Sequence, residues 1–286
     1  MRAARTTDST RRSPGGVRSD SAIAALSRHD RLLISTCLLV ITGLAWAYLL
    51  HLGRQMSSSM AYDTAMASMG MPMDKPWAAA DVFFTFLMWT VMMMGMMAGS
   101  AAPVLLLFGA ARAKRTEHGV SLAVFMFGLG YVTVWVGFSA CAALAQWALH
   151  QTAMLSPAMA ASNPRVAGAI LLAAGVYQLT PFKGACLTEC RSPLGFLMTN
   201  WRDGNRGALE MGVRHGLFCL GCCWLLMCVL YVVGVMNLVW VAVLSVFVLV
   251  EKIGPAGAVV ARVAGALMIL VGLLFVAGII PIFIRT

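Results

Sequence analysis

The sequence predicts an all-α protein, a polytopic membrane bundle of about seven transmembrane helices. Hydrophobic residues make up 60% of the 286 residues and charged residues only 11%, whereas about a quarter of the residues in a soluble domain are charged. The apolar residues lie in long runs, and runs of about 18 or more residues indicate membrane helices. Between His215 and Glu251, 35 consecutive residues carry no charge. That length is enough for two spans joined by a tight turn.

The distribution of basic residues predicts the orientation of the chain. With the spans placed as below, 17 of the 21 Lys and Arg residues fall on one side and four on the other. This asymmetry follows the positive-inside rule and predicts a multi-pass protein with a cytoplasmic amino terminus. Because membrane topology accounts for the net charge of +10, we expect the lipid bilayer as a partner and no nucleic acid.

Along the chain, residues 1–31 are predicted to form a disordered, Arg-rich cytoplasmic tail, with an organellar transit peptide as the alternative. Residues 32–286 form the predicted transmembrane domain. It includes a Met-rich outer loop at residues 53–80 and a cytoplasmic, Cys-containing segment at residues 183–214. The first five spans and the seventh are expected at about residues 32–52, 81–111, 121–149, 165–182, 215–235 and 259–283, and the sixth ends at residues 251–252.

A short repeated segment of the sequence raises the question of an inverted repeat. Arg165-Val-Ala-Gly-Ala begins the fourth predicted span, and Arg262-Val-Ala-Gly-Ala begins the seventh. These two spans run in opposite directions, as the halves of an inverted-topology repeat do. Small apolar residues also recur by chance in membrane helices, so both interpretations stay open.

The most specific chemical pattern lies in the fifth span. In a helix, residues three, four, seven and eight apart share a face, which places His215, Cys219, Cys222 or Cys223, and Met227 on one stripe. Imidazole, thiolate and thioether ligands together favour copper(I), with zinc second. The alternative is that small, apolar cysteines pack the helices together. Three cysteines within five residues, aligned with a histidine, favour a metal site.

A second pair of cysteines precedes this span. Cys186 and Cys190 are four residues apart and could hold one ion from a single helical turn, although the spacing differs from common zinc and redox motifs. The nearby Lys183 and Arg191 would favour the thiolate form that binds metal. The alternative is two unrelated loop thiols. Structural disulfides are not expected, since these residues lie toward the reducing side.

Methionine is the third soft ligand. Thioether sulfur stays uncharged at every pH and binds soft metals, although methionine also fills gaps between helices. Six of the 21 methionines lie in the predicted outer loop, where a polar, Gly-rich segment offers no core to fill. Candidate ligands in the second span are Met92, Met93, Met94, Met96 and Met97, and those of the loop are Met56, Met60, Met66, Met69, Met71 and Met73.

Two motifs carry a family resemblance. They are Cys-Leu-x-x-Cys-Arg-x-Pro at residues 186–193 and His-Gly-x-x-Cys-Leu-Gly-Cys-Cys-Trp at residues 215–224. With the methionine run of the second span and Glu251-Lys252, they make residues 80–275 similar to a bacterial family of predicted metal-binding integral membrane proteins. The resemblance implies a bacterial inner-membrane location and a link to a metal, suspected to be copper, but no established activity.

The leading hypothesis is copper(I) handling in the inner membrane, by a transporter or a membrane metallochaperone. The outer methionines would collect the ion, the second and fifth spans would receive it, and the Cys186–Cys190 pair would exchange it. A periplasmic or cytoplasmic metal-carrier protein is the expected partner. Two alternatives stay open: a thiol-disulfide or electron-transfer membrane enzyme that uses the fifth-span cysteines, and a non-catalytic subunit that anchors a partner. No catalytic residue is assigned.

Overall fold

The computed structural model describes residues 26–69, 77–115, 119–152 and 163–279, and all regular structure in these ranges is α-helical. The prediction of an all-α bundle is therefore confirmed. The helices are α1 (Arg28–Ser68), α2 (Ala79–Lys114), α3 (Val120–Gln151), α4 (Pro164–Gln178), α5 (Pro181–Arg191), α6 (Pro193–Thr199), α7 (Gly204–Cys228), α8 (Leu230–Val233), α9 (Leu238–Ile253) and α10 (Gly257–Val276).

Local sequence explains where several helices begin. Asn163 accepts a hydrogen bond from the backbone N–H of Arg165 and is followed by a proline at the first turn of α4. Thr180 caps α5 in the same way, again before a proline. Asn237 caps α9 by accepting from the N–H of Trp240. Asn or Thr as a cap, with proline in the first helical position, is a strong start signal.

Five helices are long and apolar enough to cross a membrane: α1 up to residue 58, α2, α3, α7 with α8, and α10. A sixth crossing results if α4 and α5, which meet at a 63° bend, count as one broken span. The sequence led us to expect about seven spans. The remaining candidate, α9, has 16 residues and is about 24 Å long, shorter than the hydrocarbon core of about 30 Å.

The segment expected as an outer loop differs from that expectation. Helix α1 continues without a break to Ser68, so the first half of residues 53–80 is helical. Alanine, methionine and glutamine are good helix formers, and the first helix breakers after Gly53 are Gly70 and Pro72. Of the loop methionines, Met56 is half-buried and Met69 is exposed. Met71 and Met73 lie outside the described residues.

The segment at residues 183–214 folds into α5, α6 and the first part of α7. Helix α5 packs against α7, and α6 packs against α2 and α5. This return of the chain onto α7 follows from the bend between α4 and α5. Pro181 starts α5 directly after Thr180, and proline restricts the preceding residue to extended backbone, so α4 cannot continue straight into α5.

Close glycine contacts set the packing of the helices. A β-carbon at Gly212 of α7 would overlap the carbonyl oxygen of Phe127 in α3, and one at Gly216 would crowd Tyr131. These contacts advance in the same direction along both helices, so α3 and α7 run parallel. The register places Tyr131 within hydrogen-bonding distance of Cys219.

The two helices that contain the repeated segment pack against each other. Helices α4 and α10 run antiparallel, with Gly168 opposite Gly272 and Gly175 opposite Gly265. Gly168 and Gly265 hold the same position in their Arg-Val-Ala-Gly-Ala segments, and Gly175 and Gly272 both follow seven residues later. The contact is therefore two-fold symmetric in sequence as well as in space, which favours the inverted-repeat interpretation.

Candidate functional site

Helix α7 places three thiols together in the protein interior. Cys219, Cys222 and Cys223 are each 1% exposed. The thiols of Cys222 and Cys223 donate hydrogen bonds to the carbonyl oxygen of Cys219, at 3.0 and 2.9 Å. These contacts follow from the three- and four-residue spacing, which puts all three side chains on one side of the helix.

Helix α5 adds a fourth thiol to this group. The thiol of Cys190 lies within interaction range of the thiols of Cys219 and Cys222. Cys186, one turn earlier on α5, is half-buried and lies against Gly221, where a β-carbon would meet its sulfur. The structure therefore joins two motifs that the sequence left separate. The four-thiol cluster, as we use the term below, consists of Cys190, Cys219, Cys222 and Cys223.

A buried cation touches the four-thiol cluster. The ammonium of Lys252, a residue of α9, donates to the sulfur of Cys219 at 2.9 Å and to the hydroxyl of Ser100 at 3.3 Å. The hydroxyl of Tyr131 lies 3.0 Å from the same sulfur. Since an ammonium can only donate, the Cys219 sulfur acts as an acceptor. A cation in contact with a sulfur favours the thiolate, the form that binds metal.

A second buried lysine lies next to this site with a different partner. The ammonium of Lys183 contacts both carboxylate oxygens of Glu251, at 2.9 and 2.8 Å. Gln178 donates to the same carboxylate at 3.1 Å. Arg191 donates to the carbonyl oxygens of Glu251 and Gly254, at 3.2 and 2.8 Å. Helices α4 and α5 are thereby attached to the carboxyl end of α9.

These contacts correct an expectation about charge. Glu251, near the end of α9, is 1% exposed and pairs with Lys183. Lys183 and Arg191 were expected to act on the nearby thiols, but both are engaged with α9. The cation that contacts a thiol is Lys252. Neighbours in sequence point in different directions on a helix, and tertiary contacts determine which partner each one meets.

The predicted ligand His215 lies one turn before Cys219 and is 3% exposed. Its ring sits among Phe127, Tyr131 and Phe196, with ring centroids 6.1, 6.0 and 5.0 Å away. Its Nδ1 atom has no hydrogen-bond partner. An unpaired nitrogen inside an aromatic pocket is costly to bury, which is consistent with a role as a ligand.

The predicted methionine ligands of the second and fifth spans lie in or against the same continuous core as the α7 thiols. Met227 is fully buried. The second-span run is mostly buried as well, with a single half-buried member. The buried members of this run are Met92, Met93, Met96 and Met97, and the half-buried one is Met94.

Within the part of the chain that the structure describes, no three His, Cys, Asp or Glu side chains already converge on a point that could hold a metal ion. The hydrogen bonds of the cluster give a physical reason, because the Cys222 and Cys223 thiols point at a carbonyl oxygen. A soft ion would displace those protons and rotate the side chains about χ1. Metal binding by these thiols would therefore require their side chains to reorient.

Sequence reasoning missed three groups at this site: Lys252, Ser100 and Tyr131. One signal could have revealed Lys252, because an ionisable residue at the end of a long apolar run marks a functional site by default. Ser100 and Tyr131 carry no comparable signal, since single hydroxyl groups are common in apolar helices. Only the packing of α2, α3 and α9 brings them to Cys219.

Comparison with known proteins gives one match. Residues 86–275 match the model of a family described as PpoB2, a copper chaperone. Those residues make up about two thirds of the chain and include all of the cluster and its contacts. No curated protein and no solved structure matches the chain.

Proposed function

Since the chain belongs to the PpoB2 copper chaperone family, we propose that it holds copper(I) inside a membrane, on the four-thiol cluster, and passes it to a carrier or client protein. The observation that carries this proposal is the proximity of four thiols, from α5 and α7, to one another and to one buried ammonium. Thiolates are the preferred ligands of copper(I). The five apolar helices support a membrane location.

The chemistry of loading is a ligand exchange. A donor gives up Cu⁺, and each new copper–sulfur bond replaces an S–H bond or uses a thiolate that already contacts Lys252. The released protons leave to water, and no electron is transferred. Because thiols must lose protons to bind, affinity depends on whatever stabilises the thiolate form.

The position of Cys186 suggests a route for release. This thiol is half-buried beside Gly221 and shares α5 with Cys190. It thus lies between the four-thiol cluster and the protein surface. An incoming carrier could take copper from Cys186 while Cys190 still holds it, so that the ion is never free. In this proposal the neutral thioethers of α2 are secondary donors, because they lack the charge of a thiolate.

The test is a copper titration of the protein purified in detergent under reducing conditions. Copper(I) is supplied by a chromogenic chelator that competes with the protein. We expect one tightly bound Cu(I) per chain in the parent. Replacing Cys219, Cys222 and Cys223 by Ser should lower the affinity by at least about 100-fold, or about 2.8 kcal/mol, because a hydroxyl offers no soft donor.

The matched control removes the same number of thiols elsewhere. Cys37 and Cys141 are exposed, and Cys228 lies near the end of α7 outside the cluster. The triple Ser variant at these positions should bind Cu(I) as the parent does. If the cluster variant binds as tightly as the control, the cysteines of α7 pack helices and the copper site lies elsewhere.

A further inference from the structure

Lys252 is a buried cation with no carboxylate to balance it. Its side chain is 6% exposed, and none of the ion pairs among the described residues includes it. Its contacts are the Cys219 sulfur and the Ser100 hydroxyl. The one nearby carboxylate, Glu251, is occupied by Lys183. The ammonium therefore faces a group of thiols rather than an acid.

Burying a charge without an opposite charge is unfavourable by several kcal/mol. Around Lys252, within the part of the chain that the structure describes, negative charge can come from the four-thiol cluster. The group that fills this role must carry a net charge of about −1 to cancel one ammonium. A complex of Cu⁺ with two thiolates has that charge, whereas a complex with four thiolates would carry −3.

We infer that Lys252 is the counter-cation that fixes bound copper as a two-thiolate, singly negative complex. This inference rests on the proposed function and specifies its coordination. Two of the four thiols hold the ion, and the other two stay protonated and ready to replace them. Lys252 acts through the charge of the complex and is a positioning residue, since it offers no lone pair to copper.

Two probe metals distinguish the loss of the counter-cation's charge from a distortion of the binding site. Copper(I) and mercury(II) are both soft ions that two thiolates can hold in a linear arrangement. The copper complex carries −1 and the mercury complex is neutral. A missing counter-cation therefore weakens only the copper complex, whereas a distorted site weakens both. The probes are Cu(I) in competition with a chromogenic chelator and inorganic Hg(II) in competition with a small dithiol.

The decisive variant is Lys252→Met, which keeps a long side chain and removes the charge. We expect its affinity for Cu(I) to fall on the order of 1,000-fold, as for losing a unit charge about 4 Å away at an effective dielectric constant of about 20. Its affinity for Hg(II) should stay at the parent value or rise. Lys252→Arg keeps the charge and should retain Cu(I) affinity to within about tenfold.

The control is the double variant Lys183→Met/Glu251→Gln, which removes the other buried lysine together with its carboxylate partner. It therefore creates no new unpaired charge. It should bind both metals like the parent. Equal loss of Cu(I) and Hg(II) in Lys252→Met, or no loss of Cu(I), would overturn this inference and leave the four-thiol site intact. A parent protein that binds no Cu(I) would overturn the proposed function together with it.

Discussion

Two buried lysines at the same end of the bundle differ in their electrostatic surroundings. Lys183 is 1% exposed and shares both oxygens of the Glu251 carboxylate. Lys252 is 6% exposed and contacts a sulfur and a hydroxyl. Lys183 therefore has a permanent anion, and its pair attaches α5 to α9. Lys252 has an anion only when the cluster supplies one. The difference separates a charge used for structure from a charge kept available for a ligand.

The largest expected effect comes from breaking the Lys183 pair. Glu251→Gln leaves the Lys183 ammonium buried with neutral amides, and we expect the free energy of unfolding to fall by about 3–5 kcal/mol. The measurement is reversible unfolding in mixed detergent micelles. The double variant Lys183→Met/Glu251→Gln should recover most of this loss, because neither charge remains. If the double variant is no more stable than the single one, the pair does more than neutralise charge.

An intermediate effect is expected at Arg191, the third cation of this region. Its guanidinium donates to two carbonyl oxygens at the end of α9 rather than to a carboxylate. Basic side chains stabilise helix carboxyl ends through such bonds. Arg191→Met should therefore lower the free energy of unfolding by about 1–2 kcal/mol, as judged in the same micelles. A loss equal to that of Glu251→Gln would show that Arg191 also balances the buried carboxylate.

The smallest effect on stability is expected at Lys252, although the loss of this lysine is expected to weaken copper binding strongly. Lys252→Met removes a buried cation that has no carboxylate partner, so the free energy of unfolding should change by less than about 1 kcal/mol, with a tendency to increase. Thermal unfolding of the copper-free protein is the measurement. A loss as large as that of Glu251→Gln would mean that Lys252 is structural, and the contrast between the two lysines would fail.

The sequence allowed the fold class to be predicted because apolar runs and a low content of charge are local properties. The stripe on α7 could also be predicted, since Cys219, Cys222 and Cys223 lie within two turns of one helix. The number of spans could not, because the 16 residues of α9 and the bend before α5 depend on packing and caps. The length of helix α1 was underestimated because serine and alanine beside methionine were interpreted as a loop.

The composition of the cluster was only half predictable. Cys190 was chosen for its spacing from Cys186, and nothing in that spacing shows that α5 turns back to meet α7. The sequence also could not show which cation contacts the thiols: Lys183, Arg191 or Lys252. All three lie near cysteines in sequence or in predicted depth, and only their contacts across helices distinguish them.

The glycine seam between α4 and α10 has a mechanical consequence for the thiols. Only Leu179 and Thr180 separate α4 from α5, so any sliding of α4 along its partner is transmitted to Cys190. A slip by one residue would shift α5 by about 1.5 Å and would move Cys190 relative to the α7 thiols. Because Gly168 and Gly175 interlock with glycines of α10, such a slip meets a steric stop. How far Cys190 can move is thus limited by α4 and α10, two helices that contribute no residue to the four-thiol cluster.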